Sequence, residues 1–446
     1  MVVKLNHSYK DIGQRVKAYR LNRGFSQDEL AEGICSRQTI SFLENGQHLP
    51  STEFMKKIAA KLGISLHEIM VDQVNNLGAK VQLDIIKVYI ETADYVNAYP
   101  LIEECECRDD LLEYQRRELV LCRAECLIRT GKAEEAIKLL TDQQQRFEME
   151  READDHFMAT LYDKLGTAYY FLPNMTNAHA HYLRAYQLTL RFAEIDLTAA
   201  RIAYNLGMAC RQLNRNSDAI EFLSKAEAFF KNASDIKRLS HTFFELGIAY
   251  AMKHEYEQAD RCIQESLAIY RSLNAVSTAR LARQVHALAV LSQTQPDVAL
   301  KELQVCASEY EKVGDIVRCI FTNAHLANIL INQKKISAAK GYLDNALSRL
   351  FDHDAESDPR LVYAYQVNAK YLLEVNDFEK CVEYSFKSSE LFDRMGLERD
   401  AADSLSLSAK AYHGQGKIDQ AYEISQRVNE KLCRLQDQFS KRLEVY

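Results

Sequence analysis

Apolar residues recur at helical spacing along the whole chain. Near the N-terminus, Ile12, Val16 and Tyr19 are spaced for one face of a helix over residues 11–22, which Gly24 ends. The 446 residues include only 5 Pro and 15 Gly, so few residues break helices or favour tight turns. The pattern therefore predicts an all-α protein and disfavours a turn-rich β fold.

Helix start signals divide the first 71 residues into five short helices. Residues 26–29 (Ser-Gln-Asp-Glu) and 65–68 (Ser-Leu-His-Glu) are capping boxes, and they open the second and fifth helices. Ser36 caps a third helix that runs to Glu44. Pro50 opens a fourth helix, whose predicted inward residues are Phe54, Ile58 and Leu62.

The second and third helices, residues 26–33 and 36–44, are joined by a tight turn, as in a helix-turn-helix motif. The second helix of that motif enters the major groove of DNA. Ile40 and Leu43 would face the core, so the opposite face presents Arg37, Gln38 and Ser41. Arg and Gln side chains form bidentate hydrogen bonds with guanine and adenine, so these residue types suit base readout.

Two further residues of this motif are candidates for contacts with the DNA backbone. Gln27 and Thr39 lie at the N-termini of the two helices, where phosphate contacts would set the register on the duplex. The charge distribution agrees with a DNA-binding head. Residues 1–71 hold 10 Lys and Arg against 7 Asp and Glu, whereas the remainder holds 46 against 56. A basic head on an acidic body is typical of a nucleic-acid reader carried by a domain that avoids nucleic acid.

After residue 78 the sequence repeats itself. Leu-Gly pairs at 165–166, 206–207 and 246–247 are each followed by a small Ala in the next helix, which is the tetratricopeptide pattern. Gly166 and Ala178 are predicted at the close crossing of the two helices of one unit, and Tyr169 and Tyr182 between units.

The small residue marks nine units with a period near 40 residues. It recurs at Ala98, Ala136, Ala178, Ala219, Ala259, Ala299, Ala339, Cys381 and Ala421. Because a standard unit has about 34 residues, longer helices or larger loops are expected. The predicted domains are a DNA-binding head at 1–71, a linker at 72–78 and a right-handed superhelix of about nine helix pairs at 79–446. The polar segment 352–359 is predicted as an extended loop between helices.

The first helices of the units should line the concave wall of such a superhelix. Asn205, Asn328 and Asn332 carry amides that can both donate to and accept from an extended peptide backbone. Arg201 and Arg211 could pair with a peptide carboxylate. By their place in the repeat, further inward residues are Tyr204, Phe244, Gln284, Phe321, Tyr363 and Gln366. For each of them, a solvated or packing role is the alternative.

The sequence gives little support for an enzyme, a metal-binding protein, or a secreted or membrane protein. The sequence contains no phosphate-binding glycine loop, no zinc-binding His-Glu-x-x-His helix and no nucleophile elbow, so we expect no enzyme, cofactor or metal. The 11 cysteines are scattered and are expected to be reduced thiols. Without a signal peptide or a membrane-spanning apolar stretch, a cytoplasmic location is expected.

The head resembles a known DNA-binding domain. Residues 26–31 (Ser-Gln-Asp-Glu-Leu-Ala), 36–41 (Ser-Arg-Gln-Thr-Ile-Ser), 43–46 (Leu-Glu-Asn-Gly) and 58–65 look like the Xre-type phage-repressor domain. The turn at 32–36 is one residue shorter than usual and carries Cys35, as in PlcR and NprR regulators. With the repeats, the chain resembles the peptide-pheromone regulators of Gram-positive bacteria, the Rap, Rgg, NprR, PlcR and PrgX group, and is most like NprR.

That resemblance implies a quorum-sensing transcriptional regulator. It would bind double-stranded operator DNA as a homodimer or higher homo-oligomer, and a short signalling peptide in the groove would switch it. The alternative is a scaffold that binds and inhibits a response regulator or another protein, with DNA binding that no peptide controls.

Overall fold

The computed structural model describes residues 6–48, 50–64, 66–108, 111–150, 154–350 and 358–443. Every regular element in these ranges is helical, which confirms the all-α prediction. The helices are α1 (Asn6–Asn22), α2 (Gln27–Ala31), α3 (Arg37–Glu44), α4 (Thr52–Leu62), α5 (Leu66–Glu91), α6 (Tyr95–Glu106), α7 (Glu113–Arg129), α8 (Ala133–Glu150), α9 (Asp155–Phe171), α10 (Met175–Thr189), α11 (Leu197–Gln212), α12 (Asn216–Asn232), α13 (Ile236–Met252), α14 (Tyr256–Ser272), α15 (Val276–His286), α16 (Ser292–Thr294), α17 (Pro296–Lys312), α18 (Ile316–Asn332), α19 (Ile336–Leu350), α20 (Pro359–Glu374), α21 (Phe378–Arg394), α22 (Glu398–Gly414) and α23 (Ile418–Leu443).

The chain divides into two compact units. The first comprises residues 1–205 and contains the N-terminal helices together with the first repeats. The second comprises residues 206–446 and contains the later repeats.

The N-terminal domain forms around a small apolar core contributed by α1 to α5, including Val16, Leu30, Ile40 and Leu43. Gly13 is needed for this packing, because a Cβ atom there would lie 1.9 Å from the carbonyl oxygen of Leu43. The predicted capping box at 26–29 is present, and Ser36 caps α3 by accepting a hydrogen bond from the backbone of Thr39.

One predicted core residue of α4 is wrong. Phe54 is 40% exposed, and Met55 is buried instead, in line with Ile58 and Leu62. Phe54 and Met55 are both apolar, and either one shares a helical face with Ile58 and Leu62. The periodicity alone therefore could not show which of the two side chains is buried. The proposed capping residue Ser65 lies outside the described residues.

The predicted linker at 72–78 is helical instead. Helix α5 runs without interruption from Leu66 to Glu91 and therefore includes it. Its first turns contribute Ile69 to the core of the N-terminal domain, and Leu83 and Ile86 further along pack in the first repeat. A single Gly78 and two Asn residues lower helix propensity, but they do not end a helix that is anchored by packing at both ends.

The repeats form nine helix pairs within the described residues, from α5 and α6 to α22 and α23. All nine small residues that mark the units are buried. Paired helices such as α13 and α14 have 17 residues each and are joined by three-residue turns, which accounts for the period near 40. The middle residue of these turns adopts a positive φ, as at Ser234 and His254.

Glycines permit the close crossing within a pair, as predicted. A Cβ atom on Gly166 would lie 2.6 Å from the ring of Tyr182, and one on Gly247 would lie 2.4 Å from Ile263. Tyr182 packs on Gly166 within its own pair, and Tyr169 stacks on His181 of the same pair. That these two rings also fill the space between units stays a prediction.

The sixth pair departs from the pattern. Helix α15 continues through a π-helical stretch, Ala287–Leu291, into the short α16, so that only Gln295 separates it from Pro296 at the start of α17. The predicted loop at 352–359 lies mostly outside the described residues, but Asp358 caps α20 and Pro359 begins it.

Two further properties bear on the function. All eleven cysteines are free thiols, and most of them are buried. Over the residues that the structure describes, no helix combines the length and the hydropathy needed to cross a membrane.

Candidate functional site

Helix α3 presents the face that the sequence predicts for DNA. Ile40 and Leu43 are buried, whereas Arg37 and Gln38 are exposed and Ser41 is half-exposed. The Arg37 Nε atom lies 3.6 Å from an Asp28 carboxylate oxygen, and both side chains are about two-thirds exposed. Such an exposed pair contributes little stability, so the guanidinium can leave it at low cost to contact a base.

The predicted phosphate-contacting residues have partners within the domain. One N–H of the Gln27 carboxamide donates to Glu44 at 2.8 Å, which leaves its second N–H available. The Thr39 hydroxyl lies 2.9 Å from the Ser36 hydroxyl at the start of α3. Both residues thus lie at helix N-termini as predicted, but part of their hydrogen-bonding capacity is used to hold the motif together.

A buried ion pair joins α1 to α3. The Arg20 guanidinium donates through Nε and Nη2 to the two carboxylate oxygens of Glu44, at 2.6 and 3.0 Å, and through Nη1 to the carbonyl oxygen of Phe25 at 2.7 Å. Hydrogen bonding to Glu44 raises the pKa of Arg20 further. Both side chains are buried, so this bidentate pair fixes the position of the C-terminal end of α3.

Cys35 in the shortened turn packs against the core of the N-terminal domain. Burial raises the pKa of its thiol, so the side chain is held as the protonated thiol. The residue that distinguishes this turn therefore has a packing role in the structure.

In the first unit, Arg201 and Asn205 converge on Asp163 of α9. The Asn205 carboxamide donates to Asp163 at 2.8 Å, and an Arg201 guanidinium nitrogen lies 3.3 Å from its other carboxylate oxygen. Asp163 is almost fully buried. Two of the predicted peptide-binding residues are thus brought together, but both already bind the carboxylate of Asp163. Tyr204, on the same helix, is half-buried.

Also in the first unit, Glu125 of α7 binds two cations that the sequence analysis missed. Arg129 donates to one carboxylate oxygen at 2.8 Å, and Lys164 of α9 donates to the other. Burial opposes ionisation of Glu125, but the two cations outweigh it and lower its pKa to about 2.

In the second unit, two predicted ligand-binding residues bind neighbouring helices through an ion pair or hydrogen bonds. Arg211 donates to Glu245 at 2.5 Å, and both side chains are largely buried. Gln284 is only 3% exposed; it donates to Thr322 at 2.7 Å and accepts from Tyr310 at 3.0 Å. The prediction that Gln284 faces a ligand is therefore corrected, because both ends of its amide bond neighbouring helices. Phe244 is half-buried against the apolar cluster around Ile263.

The other predicted residues of this unit come together. We call the following group on α18 and α20 the α18–α20 cluster: Phe321, His325, Asn328, Asn332, Tyr363, Gln366 and Lys370. Asn328 donates to the Tyr363 hydroxyl at 3.1 Å. The Lys370 ammonium donates to the side-chain oxygens of Asn328 and Asn332, at 2.7 and 2.6 Å.

Aromatic packing holds the other end of this cluster. His325 stacks on Tyr363 with ring centroids 4.3 Å apart and meets Phe321 edge-on at 4.4 Å. Burial lowers the pKa of His325 to about 3, so the imidazole is neutral, and burial raises the pKa of Tyr363, which keeps its hydroxyl protonated. Gln366 donates to Ser404 on α22 at 3.0 Å.

Lys370 is the functional candidate that the sequence analysis missed. An ammonium has three donors, and two of them bind the Asn328 and Asn332 amides. Burial lowers the pKa of Lys370, which is the effect expected of a cation with incomplete compensation. The cluster thus combines a cation, amides and aromatic rings, which can bind a carboxylate, a peptide backbone and apolar side chains.

Comparison with known families agrees with this architecture. A helix-turn-helix family matches residues 16–69, and a tetratricopeptide-repeat family matches residues 198–272. The HTH-type transcriptional regulator SinR of Bacillus subtilis is 41% identical over 61 residues, which cover 13% of this chain and 55% of SinR. The transcriptional activator NprA of Geobacillus stearothermophilus is 26% identical over 256 residues, 55% of this chain and 59% of NprA. The chain thus spans little more than half the length of these relatives.

Solved structures share the fold at low sequence identity. The apo form of RapI has a TM-score of 0.64 at 14% identity, over 80% of this chain and 98% of RapI. NprR in complex with its cognate peptide NprX has a TM-score of 0.52 at 13% identity, over 80% of this chain and 98% of NprR. Together with the two family matches and the NprA relative, they confirm the predicted resemblance. The chain combines a helix-turn-helix with tetratricopeptide repeats and shares the overall fold of these structures.

Proposed function

We propose that this protein is a transcriptional regulator that binds operator DNA through α3 and is switched by a short signalling peptide bound at the α18–α20 cluster. The exposed Arg37 and Gln38 on a recognition helix carry the DNA-binding half of the proposal. The fold shared with NprR, which binds its cognate peptide NprX, supports the peptide-sensing half. We also propose that the protein binds as a homodimer, with each DNA-binding domain contacting one half-site of the operator.

Arg37 and Gln38 are proposed to contact base edges, and Ser41, Thr39 and Gln27 to contact bases or phosphates nearby. We expect Arg37→Met to weaken binding to a specific operator about 10- to 100-fold, since a bidentate base contact contributes about 1–3 kcal/mol of discrimination. Affinity for non-specific duplex should fall far less. The measurement is fluorescence anisotropy with an operator selected from a pool of randomised duplexes, at several salt concentrations.

The matched control is Lys132→Met, which removes one positive charge from an exposed residue in the turn between α7 and α8. This variant should bind operator and non-specific duplex as the wild type does. Equal losses of specific and non-specific affinity in Arg37→Met would mean that Arg37 contacts only the DNA backbone.

The structure of the second unit suggests how a peptide would be bound. We propose that Asn328 and Asn332 bind its backbone, that Phe321 and Tyr363 contact its apolar side chains, and that Lys370 binds its carboxylate. Lys370 replaces Arg201 and Arg211 in this role, because those two guanidinium groups already pair with Asp163 and Glu245. Asn205, Arg201 and Tyr204 remain a separate prediction for the first unit, where a peptide would have to displace Asp163 to bind them.

We expect Lys370→Met to reduce the affinity for short peptides about 10- to 100-fold, since a hydrogen bond to a charged group contributes about 1.5–3 kcal/mol. The measurement is calorimetric titration with hits from a library of short synthetic peptides that carry free C-termini. Lys301→Met, an exposed lysine on α17, is the matched control and should change nothing.

Amidated versions of the same peptides sharpen this test. If Lys370 binds the C-terminal carboxylate, amidation and Lys370→Met should each weaken binding, but the two together should cost little more than either alone. Additive losses would assign Lys370 to another part of the peptide. Operator affinity that no peptide alters would favour the alternative, a repeat domain that binds a response regulator or another protein.

A further inference from the structure

The recognition helix α3 carries an exposed aromatic ring. Phe42 is 41% exposed, whereas Ile40 and Leu43 on the same helix are buried in the core of the N-terminal domain. A single exposed apolar residue is ordinary on a protein surface. Phe42 is significant because of its position, since it lies on the helix that is proposed to enter the major groove.

Phe42 lies on the outer face of α3, one turn after Gln38. Residues four apart on an α-helix are neighbours on the same face. Ser41 and Asn45 lie on the same side of the helix, and none of these four residues is buried. In homeodomains, the residues that contact bases have this same spacing along the recognition helix. Phe42 is thus an apolar side chain in the middle of the face that would contact DNA.

We propose that Phe42 recognises thymine by packing its ring against the C5 methyl group in the major groove. The inference rests on the proposed function, in which α3 binds operator DNA. The thymine methyl is the apolar group that base pairs present in that groove, and the other base-edge groups there are hydrogen-bond donors and acceptors. A phenyl ring can bond none of those polar groups, and it would cover them at a cost. Against the methyl group, it removes apolar surface of both partners from water.

The spacing along α3 restricts where this thymine lies in the operator. The Cβ atoms of Gln38 and Phe42, four residues apart, are separated by about 5–6 Å. Successive base pairs are about 3.4 Å apart along the duplex. The thymine should therefore lie within about two base pairs of the base that Gln38 contacts. Gln38→Ala identifies that base, because the variant should lose the sequence preference at that position.

The test removes the methyl group and the ring separately. Operator sites are selected from randomised duplexes with the wild-type full chain, and each thymine near the Gln38 position is replaced by deoxyuridine, which lacks only the C5 methyl group. At one such position, the replacement should weaken binding by the wild type about 3- to 10-fold in fluorescence anisotropy. Phe42→Ala should bind the thymine duplex about 10-fold more weakly than the wild type does, and should bind the thymine and deoxyuridine duplexes equally.

Phe54→Ala is the matched control. It removes a phenyl ring of nearly the same exposure, 40%, from α4, outside the recognition helix. This variant should discriminate thymine from deoxyuridine as the wild type does. Circular dichroism checks that Phe42→Ala is folded, and the comparison of the two duplexes with the wild type needs no variant at all.

Two results would overturn the inference. One is a wild type that binds thymine and deoxyuridine duplexes equally at every position tested, and the other is a folded Phe42→Ala that discriminates them as the wild type does. Either result, in a protein that still selects an operator, would contradict this inference and leave the proposed function intact. A wild type that selects no sequence from the pool would contradict the proposed function and this inference with it.

Discussion

Replacing Arg20 with methionine is expected to destabilise the N-terminal domain by about 3 to 5 kcal/mol, because it leaves the Glu44 carboxylate buried without its counter-charge. In the wild type, both carboxylate oxygens accept from the Arg20 guanidinium, and one of them also accepts from the Gln27 carboxamide. The same guanidinium also binds the carbonyl oxygen of Phe25, which the substitution leaves without that donor. Hydrogen exchange of the α1 and α3 amides in the full chain measures the loss locally.

Two variants control this prediction. Arg37→Met makes the same substitution at an exposed pair and should change stability by less than about 1 kcal/mol. The double variant Arg20→Met/Glu44→Leu removes both charges and should recover most of the lost stability, since an apolar pair of similar volume can replace a buried ion pair. If Arg20→Met and Arg37→Met had equal effects on exchange, the pair would contribute no more than a surface contact.

Much of the fold could be predicted because its rules are local in sequence. The close crossing of two helices requires a small residue at one position in each unit, and that position alone located all nine helix pairs. The long period also has a local cause, since helices of 17 residues and turns of three residues repeat every 40. The failures came where local signals were ambiguous: Phe54 and Met55 are both apolar, and the Asn and Gly residues at 75–78 suggested a linker within a continuous helix.

The candidate sites were predicted less well, because the partners of polar side chains lie one repeat away. Asn205 bonds Asp163, 42 positions earlier, and Gln284 bonds Thr322, 38 positions later. Lys370 bonds Asn328 and Asn332, at separations of 42 and 38. These separations are two residues shorter or longer than the 40-residue period. Each bond joins the first helices of two neighbouring repeats, which pack with the same relative alignment. A search for complementary polar residues at 38 and 42 positions would have found Asp163 and Lys370.

Contacts between neighbouring first helices also explain why some predicted binding residues are not free. A polar residue on a first helix can bond the next repeat or a ligand, and charge decides which it does. Arg211 has Glu245 within reach and is neutralised by it. Lys370 donates to two neutral amides instead, and the neighbouring Glu374, which favours the charged form of Lys370, accepts a hydrogen bond from Lys334. Lys370 is therefore the more suitable partner for an anionic ligand.

Glu125→Gln is expected to destabilise the first unit at neutral pH by about 3 to 5 kcal/mol, since it leaves the largely buried Lys164 ammonium without its counter-charge. The effect should depend on pH in a defined direction. Lys164 and Arg129, acting against burial, lower the pKa of Glu125 to about 2 in the folded protein, below the ordinary 4.5. The stability that ionised Glu125 contributes is therefore complete above about pH 5 and is lost as the pH falls through 4.5 toward 2.

The stability curves of the wild type and Glu125→Gln should consequently converge in acid. Over that interval the wild type should lose about 3 kcal/mol more than the variant. Urea unfolding followed by circular dichroism at a series of pH values, with hydrogen exchange of α7 and α9, measures the difference. Glu103→Gln, at an exposed position near the end of α6, is the matched control and should follow the wild type throughout. A gap between wild type and Glu125→Gln that stays constant down to pH 2 would mean that the carboxylate contributes through its shape and hydrogen bonds, and that its charge adds nothing.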